Sequence, residues 1–155
     1  MPLTILFEDD PPPAKPIAER LVQEDIRDTA LLIPCYKSAT ILPATLEAAL
    51  NTFPPSHIFV LANGNSAVPL DDTEGVCQRY EVNHLWCPVG SKIVAQFVGC
   101  YAAKSFKYAL LIDDDCALPR NFPVVTARLN EATKCIGYTI KSVGPQSSKG
   151  TLCQQ

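Results

Sequence analysis

The chain has 155 residues, 47% of them hydrophobic and 19% charged, with a formal net charge of −3. That is the composition of one folded domain rather than of a disordered polymer. The acidic balance argues against a nucleic-acid binder held by phosphate contacts, no signal-peptide pattern follows Met1, and no run approaches the roughly 18–20 apolar residues of a membrane span.

Residues 1–16 carry Glu8-Asp9-Asp10 and then Pro11-Pro12-Pro13, which predicts an extended leader because proline lacks an amide donor and fixes its own φ. Ile17, Leu21, Val22 and Ile26 have helical spacing, so 1–28 reads as a leader with a short amphipathic helix. Thr29 to Tyr36 predicts the first buried strand, ended by Pro34 and turned at Lys37-Ser38. Ile41 to Asn51 follows as a helix with Thr40 at its N-cap. His57 to Ala62 is the second strand and runs into the turn sequence Asn63-Gly64-Asn65-Ser66. Val68 to Thr73 reads as loop, Glu74 to Tyr80 as a short helix and Asn83 to Trp86 as a short third strand.

Ser91 is placed to cap a helix over Ile93 to Phe106, with Ala95, Val98, Gly99 and Ala102 on one close-packing face. Tyr108 to Ile112 reads as a strand buried on both faces, and it runs straight into Asp113-Asp114-Asp115. Asn121 to Leu129 predicts a helix and Cys135 to Lys141 another strand, and 142–155 is a polar tail with no closing element. The alternation of strand and helix predicts an α/β domain over 29–141, an open, mostly parallel sheet with flanking helices and right-handed crossovers.

Seven cysteines (Cys35, Cys77, Cys87, Cys100, Cys116, Cys135, Cys153) make no CxxC pair and no zinc-like set with His57 or His84. They read as free thiols of a reducing compartment. Neither GxGxxG after the first strand nor GxxxxGK[ST] is present, which sets aside a Rossmann dehydrogenase and a P-loop NTPase.

A parallel sheet gathers its strand C-termini on one edge, where ligands bind. Three polar clusters fall there: Cys35-Tyr36-Lys37, Asn63-Gly64-Asn65 and the acidic run. Side chains alternate along a strand, so Asp113 and Asp115 project to one side and Asp114 to the other. Two hard oxygen ligands suit Mg²⁺ or Mn²⁺ shared with a substrate phosphate. Tyr36 offers a wall for a base, Asn63 an amide for a base edge, and Lys92 a cation at a helix start. Each residue also has a purely structural reading: Tyr36 as packing, Asn63-Gly64 as turn chemistry, Lys92 as a solvated charge, the acids as strand-end punctuation.

The ordered set ALLIPCYK, FVLANGNS, GSKIVAQFVG and LLIDDDCALP resembles family-2 glycosyltransferases of the GT-A fold, nearest in feel to processive synthases of the chitin, hyaluronan or cellulose type and their fungal relatives. The resemblance implies that Pro34, Cys35 and Tyr36 form the nucleotide-touching turn after the first strand. It places Asn63 where the family carries an acid that reads uracil, Lys92 in the Gly-x-Lys segment at the diphosphate, and Asp113 and Asp115 in the DxD motif that binds ribose and metal. A UDP-sugar donor, Mg²⁺ or Mn²⁺ and a polysaccharide acceptor follow as expectations. The acceptor-side acidic base motif, the Gln-x-x-Arg-Trp motif and membrane helices do not occur before Gln155, so the expectation is an incomplete GT-A domain, the donor-binding half of a synthase. Such a half is soluble and cytoplasmic as it stands, and at the cytoplasmic face of a membrane within a full-length enzyme. The alternative expectation is a nucleotide-binding or interaction module without turnover.

Overall fold

Thr-Ala-Leu-Leu-Ile-Pro-Cys contains no charge, and it forms a strand, β1 (Thr29–Cys35), that is buried at every position. The computed structural model describes residues 24–120, 122–138 and 140. Around β1 the chain builds a one-turn helix α1 (Glu24–Arg27), α2 (Leu42–Ala49), β2 (Ile58–Asn63), α3 (Thr73–Arg79), β3 (Asn83–Cys87), α4 (Lys92–Ala102) and β4 (Tyr108–Leu111). Short 3-10 turns lie at Pro55–His57 and Thr126–Arg128. The four strands form one sheet in the order β3-β2-β1-β4, parallel at every pairing. This is the expected α/β architecture.

The pleat sorts the core into two layers. Leu31, Ile33, Ile58 and Val60 face one side, where Leu42, Leu46, Ala49, Phe53, Val76 and Cys77 cover them. Ala30, Leu32 and Leu61 face the other and meet Ala95 and Ala103. α4 lies across β1, β2 and β3. Its approach is close because Gly99 has no side chain: a Cβ there would stand 2.3 Å from Leu61 Cδ1 and 2.9 Å from Cδ2.

Pro34 does not end β1; it sits inside the strand opposite Leu61. In a strand, alternate residues present N–H and C=O to alternate neighbours. The Leu32 carbonyl accepts from Ile112 N at 3.2 Å, so even-numbered residues of β1 point toward β4. β4 closes at Leu111, opposite Leu32. The missing proline donor therefore faces a flank where no ladder remains to be fed.

Four further expectations are corrected. β4 is not buried on both faces: it lies at the sheet edge, with Ala109 exposed and Leu111 44% exposed, because α4 covers the other three strands. α2 starts at Leu42 with Ile41 at the cap position; Thr40 is exposed, and the Ser38 carbonyl takes the first amides, Ile41 N and Leu42 N. In place of the expected helix over Asn121 to Leu129, the described residues 122–129 hold only the turn at Thr126–Arg128, since Pro123 lacks a donor and Val124-Val125 are β-branched. Between Cys135 and Tyr138 there is no strand; Tyr138 instead packs on Phe122 with ring centroids 4.7 Å apart, and its hydroxyl donates to the Pro123 carbonyl at 3.0 Å. Residues 17–23 of the expected first helix and the tail 142–155 lie outside the described residues.

Ser91 does cap α4, accepting from Val94 N at 3.4 Å, although the helix ends at Ala102 rather than Phe106. Of its expected packing face, Ala95 and Gly99 are buried and Ala102 is exposed. His57 is structural: its Nδ1 lies 3.1 Å from the carbonyls of both Ile26 and Thr29, so that nitrogen carries the proton. Gly99→Ala gains helix propensity but drives a methyl into Leu61, itself 1% exposed. Overpacking of this kind costs roughly 1–3 kcal/mol, so the variant should melt earlier in urea than the parent, read by far-UV circular dichroism.

Candidate functional site at the strand C-termini

Parallel pairing brings the ends of β1, β2, β3 and β4 to one edge, and the loops that follow them are tied to one another by side chains. β1 leaves the sheet through Tyr36 and Lys37, and Lys37 adopts φ 53°, a left-handed turn that a non-glycine residue takes at some cost. The turn leaves Tyr36 56% exposed and buries Ser38 completely. Tyr36 and Lys37 line an open cleft of about 400 Å³ together with Asn63, Asn65, Leu70 and Gly90.

Asn63 closes β2 and is 6% exposed. Its Nδ2 donates to the Cys35 carbonyl at 2.8 Å. A carbonyl only accepts, so the amide is fixed with nitrogen toward Cys35, and Oδ1 is the acceptor the side chain has left. Asn65 Oδ1 accepts from Gly90 N at 2.6 Å, joining the β2 turn to the loop before α4. Asp71 reaches back to the first loop, accepting from Ala39 N at 2.9 Å, from the Thr73 hydroxyl at 2.7 Å and from Thr73 N at 3.2 Å. Burial opposes the charge of Asp71, but these hydrogen bonds outweigh it and hold the carboxyl below its ordinary value.

The acidic run is not a continuation of β4. Cys116 N donates to the Asp113 carbonyl at 3.1 Å, closing a β-turn with Asp114 and Asp115 at its centre. The separation of Asp114 from its neighbours is real, but a turn produces it and not a pleat. Asp113 and Asp115 are exposed and Asp114 is half-buried. Lys92 Nζ donates to Asp113 Oδ1 at 2.5 Å, both side chains being about half exposed. The carboxylate of Asp114 accepts from the Ser38 hydroxyl, and its carbonyl accepts from the Thr45 hydroxyl at 2.6 Å. Asp115 accepts only a long contact, from Cys116 Sγ at 3.9 Å.

Of the residues expected to serve the site, Tyr36 and Asn63 share the cleft, and Lys92 and Asp113 meet in an ion pair. Pro34 and Cys35 lie in β1 with buried side chains. Burial pushes the Cys35 thiol up to about 12, and the nearby charge of Asp114 adds to the effect. Lys37, placed by the sequence in the first strand-end cluster, does line the cleft, whereas sequence reasoning gave no site role to Ser38, Thr45, Leu70 and Asp71. Only Asp71 carried a signal, as an acid two residues before a helix-start threonine. Among the described residues no three His, Cys, Asp or Glu side chains gather around one point, the six described cysteines are free, and no helix is long and apolar enough to cross a membrane.

A family model described as glycosyltransferase like family 2 matches residues 27–155, and the chain belongs to that family. No curated protein and no solved structure matches it. Membership makes glycosyl transfer the class of chemistry, with a nucleotide-sugar donor and an acceptor as reactants. The parallel sheet with helices on both faces is the Rossmann-like arrangement of a GT-A half domain.

Two outcomes follow from the geometry. Asn63→Asp sets a carboxylate oxygen against the Cys35 carbonyl and leaves a buried acceptor unpaired, at roughly 1–3 kcal/mol; the loss in melting temperature should shrink as pH falls and the new acid takes up a proton. Asp71 has a lowered folded value, so its contribution to stability is full above the ordinary carboxylate range and is lost as pH falls through that lowered value. Asp71→Asn should therefore flatten the acid limb of a melting-temperature profile between neutrality and strong acid.

Proposed function

We propose that the chain binds a UDP-sugar at the strand C-termini for transfer to a polysaccharide acceptor. The observation that carries this reading is the order of groups along one sheet edge: a cleft with an aromatic wall and an uncharged acceptor at β1 and β2, then a lysine at a helix start and two exposed acids after β4. Tyr36 stacks on the base, and Asn63 Oδ1 accepts from the base edge. Asn63 stands where the family carries an acid, and its amide supplies the same acceptor oxygen without a charge beside the Cys35 carbonyl. Lys92 meets the diphosphate at the N-terminus of α4, where the first amides and the helix dipole favour an anion.

The donor set after β4 fits a divalent cation. Asp113 and Asp115 would supply two hard oxygen ligands, a number that suits Mg²⁺ or Mn²⁺ shared with a substrate rather than a closed protein cage. When bound, such an ion supplies charge stabilisation to the leaving diphosphate. Lys92, now paired with Asp113, is within reach of the same anion and neutralises part of its charge.

An inverting transfer also needs a base for the acceptor hydroxyl. The Asp71 carboxylate is held by Ala39 and Thr73 and the Asp114 carboxylate by the Ser38 hydroxyl, so once Asp113 and Asp115 serve the cation none of these carboxylates is left free of a hydrogen-bond partner for that work. This favours, as a second reading, a module that binds the donor without turning it over. Titration calorimetry of UDP with and without Mn²⁺ tests the binding site: metal-dependent binding in the parent should disappear in Asp115→Ala, and equal binding in both would refute it. Release of free sugar or polymer from a UDP-sugar by the same preparation decides between turnover and binding alone.

A further inference from the structure

In a run of three acids the middle one reads as a spare ligand or as redundancy. The structure gives it another direction. Ser38 is wholly buried and Thr45 is 3% exposed, so both hydroxyls require acceptors inside the protein. Both find them on one residue, the first on the Asp114 carboxylate and the second on the Asp114 carbonyl. Ser38 directly follows Tyr36 and Lys37, which line the cleft, and Thr45 lies in α2, just after that loop. β4 has ended at Leu111 and has β1 as its sheet neighbour. The frame that fixes 113–116 thus comes mainly from the β1–α2 segment.

We propose that Asp114 is a positioning residue that couples the base end of the donor site to its metal end: it hangs the turn bearing Asp113 and Asp115 from the loop bearing Tyr36 and Lys37. The inference rests on the nucleotide-sugar reading above. Its two donors are neutral hydroxyls, so the role needs an acceptor oxygen at position 114 and not a negative charge. A metal ligand would need the charge. That difference separates the two roles in a single substitution.

The experiment measures UDP binding to the full chain by calorimetry with and without Mn²⁺, and takes the ratio as the metal increment. Asp114→Ala and Ser38→Ala should lower the increment about tenfold, the equivalent of one hydrogen bond of about 1.4 kcal/mol. Asp114→Asn and Ser38→Thr, which keep the acceptor and the hydroxyl, should retain it within about threefold, and uridine, which lacks the diphosphate, should bind all of them as it binds the parent. A collapse of the increment in Asp114→Asn as deep as in Asp115→Ala would make Asp114 a ligand and overturn the proposal, as would an unchanged increment in Ser38→Ala. Should Asp114→Ala fail to fold, the Ser38 pair carries the test. Amide hydrogen exchange at 113–116 gives a readout that needs no ligand: Ser38→Ala should speed it and Ser38→Thr restore it, and equal exchange in all three would refute the coupling. Absence of UDP binding in the parent would sink the donor-site reading, while the exchange data would still decide whether Asp114 holds the turn.

Discussion

β1 is hydrogen-bonded in parallel on both flanks and buried along its whole length, and each part of the molecule takes its place from that strand. Its odd-numbered residues feed the ladder to β2 and its even-numbered residues the shorter ladder to β4. The two faces of the sheet are covered because Leu31 and Ile33 point one way and Leu32 the other. Parallel pairing then leaves no freedom in where the loops after the strands emerge, since each strand delivers its polar residues to the same edge. The proposed donor site is built on that edge.

What turns a row of loops into a site is the set of polar bonds between them. Asn63 reaches Cys35, Asn65 reaches Gly90, Asp71 reaches Ala39, Lys92 reaches Asp113, and Asp114 reaches Ser38 and Thr45. Each is modest, on the order of 1 kcal/mol net. They differ in what their loss would cost. Lys92 and Asp113 are both exposed, so water replaces the partner of either and the pair is worth little to stability. Asn63, Ser38 and Thr45 are buried, and removing their partners strands a polar group without solvent. The inward bonds therefore set the geometry, and the outward ion pair is left able to exchange partners with an arriving anion.

Much of this was legible in the sequence. Apolar runs ending in polar turns marked all four strands, and the serine before Lys92 marked the cap of α4, because both signals are local. One error was local, since Pro123 and the β-branched Val124-Val125 already argued against a helix over Asn121 to Leu129; the others fell where the deciding fact was distant. Leu110-Leu111-Ile112 looks the same whether or not a helix covers it, and only the breadth of α4 decides that Leu111 stays in contact with water. Pro34 reads as a strand stop unless one knows that β4 has already ended beside it. Asp114 carries no mark distinguishing it from Asp113 and Asp115, since its partners are 76 and 69 residues away in the chain. Leu70 belonged to a stretch with no periodicity, and the helix-start signal at Asp71 gave no hint that its carboxylate folds back on Ala39 in the first loop.

The edge position of β4 has a consequence for how the site comes apart. The cleft rests on β1 and β2, strands with a neighbour on each side, while the acids follow a four-residue strand with one sheet neighbour among the described residues. Local opening in proteins begins where backbone pairing is thinnest. Mild heat or denaturant should therefore fray the turn bearing Asp113 and Asp115 while the cleft lined by Tyr36 and Asn63 is still formed, so that the two ends of the proposed donor site come apart in sequence and not together.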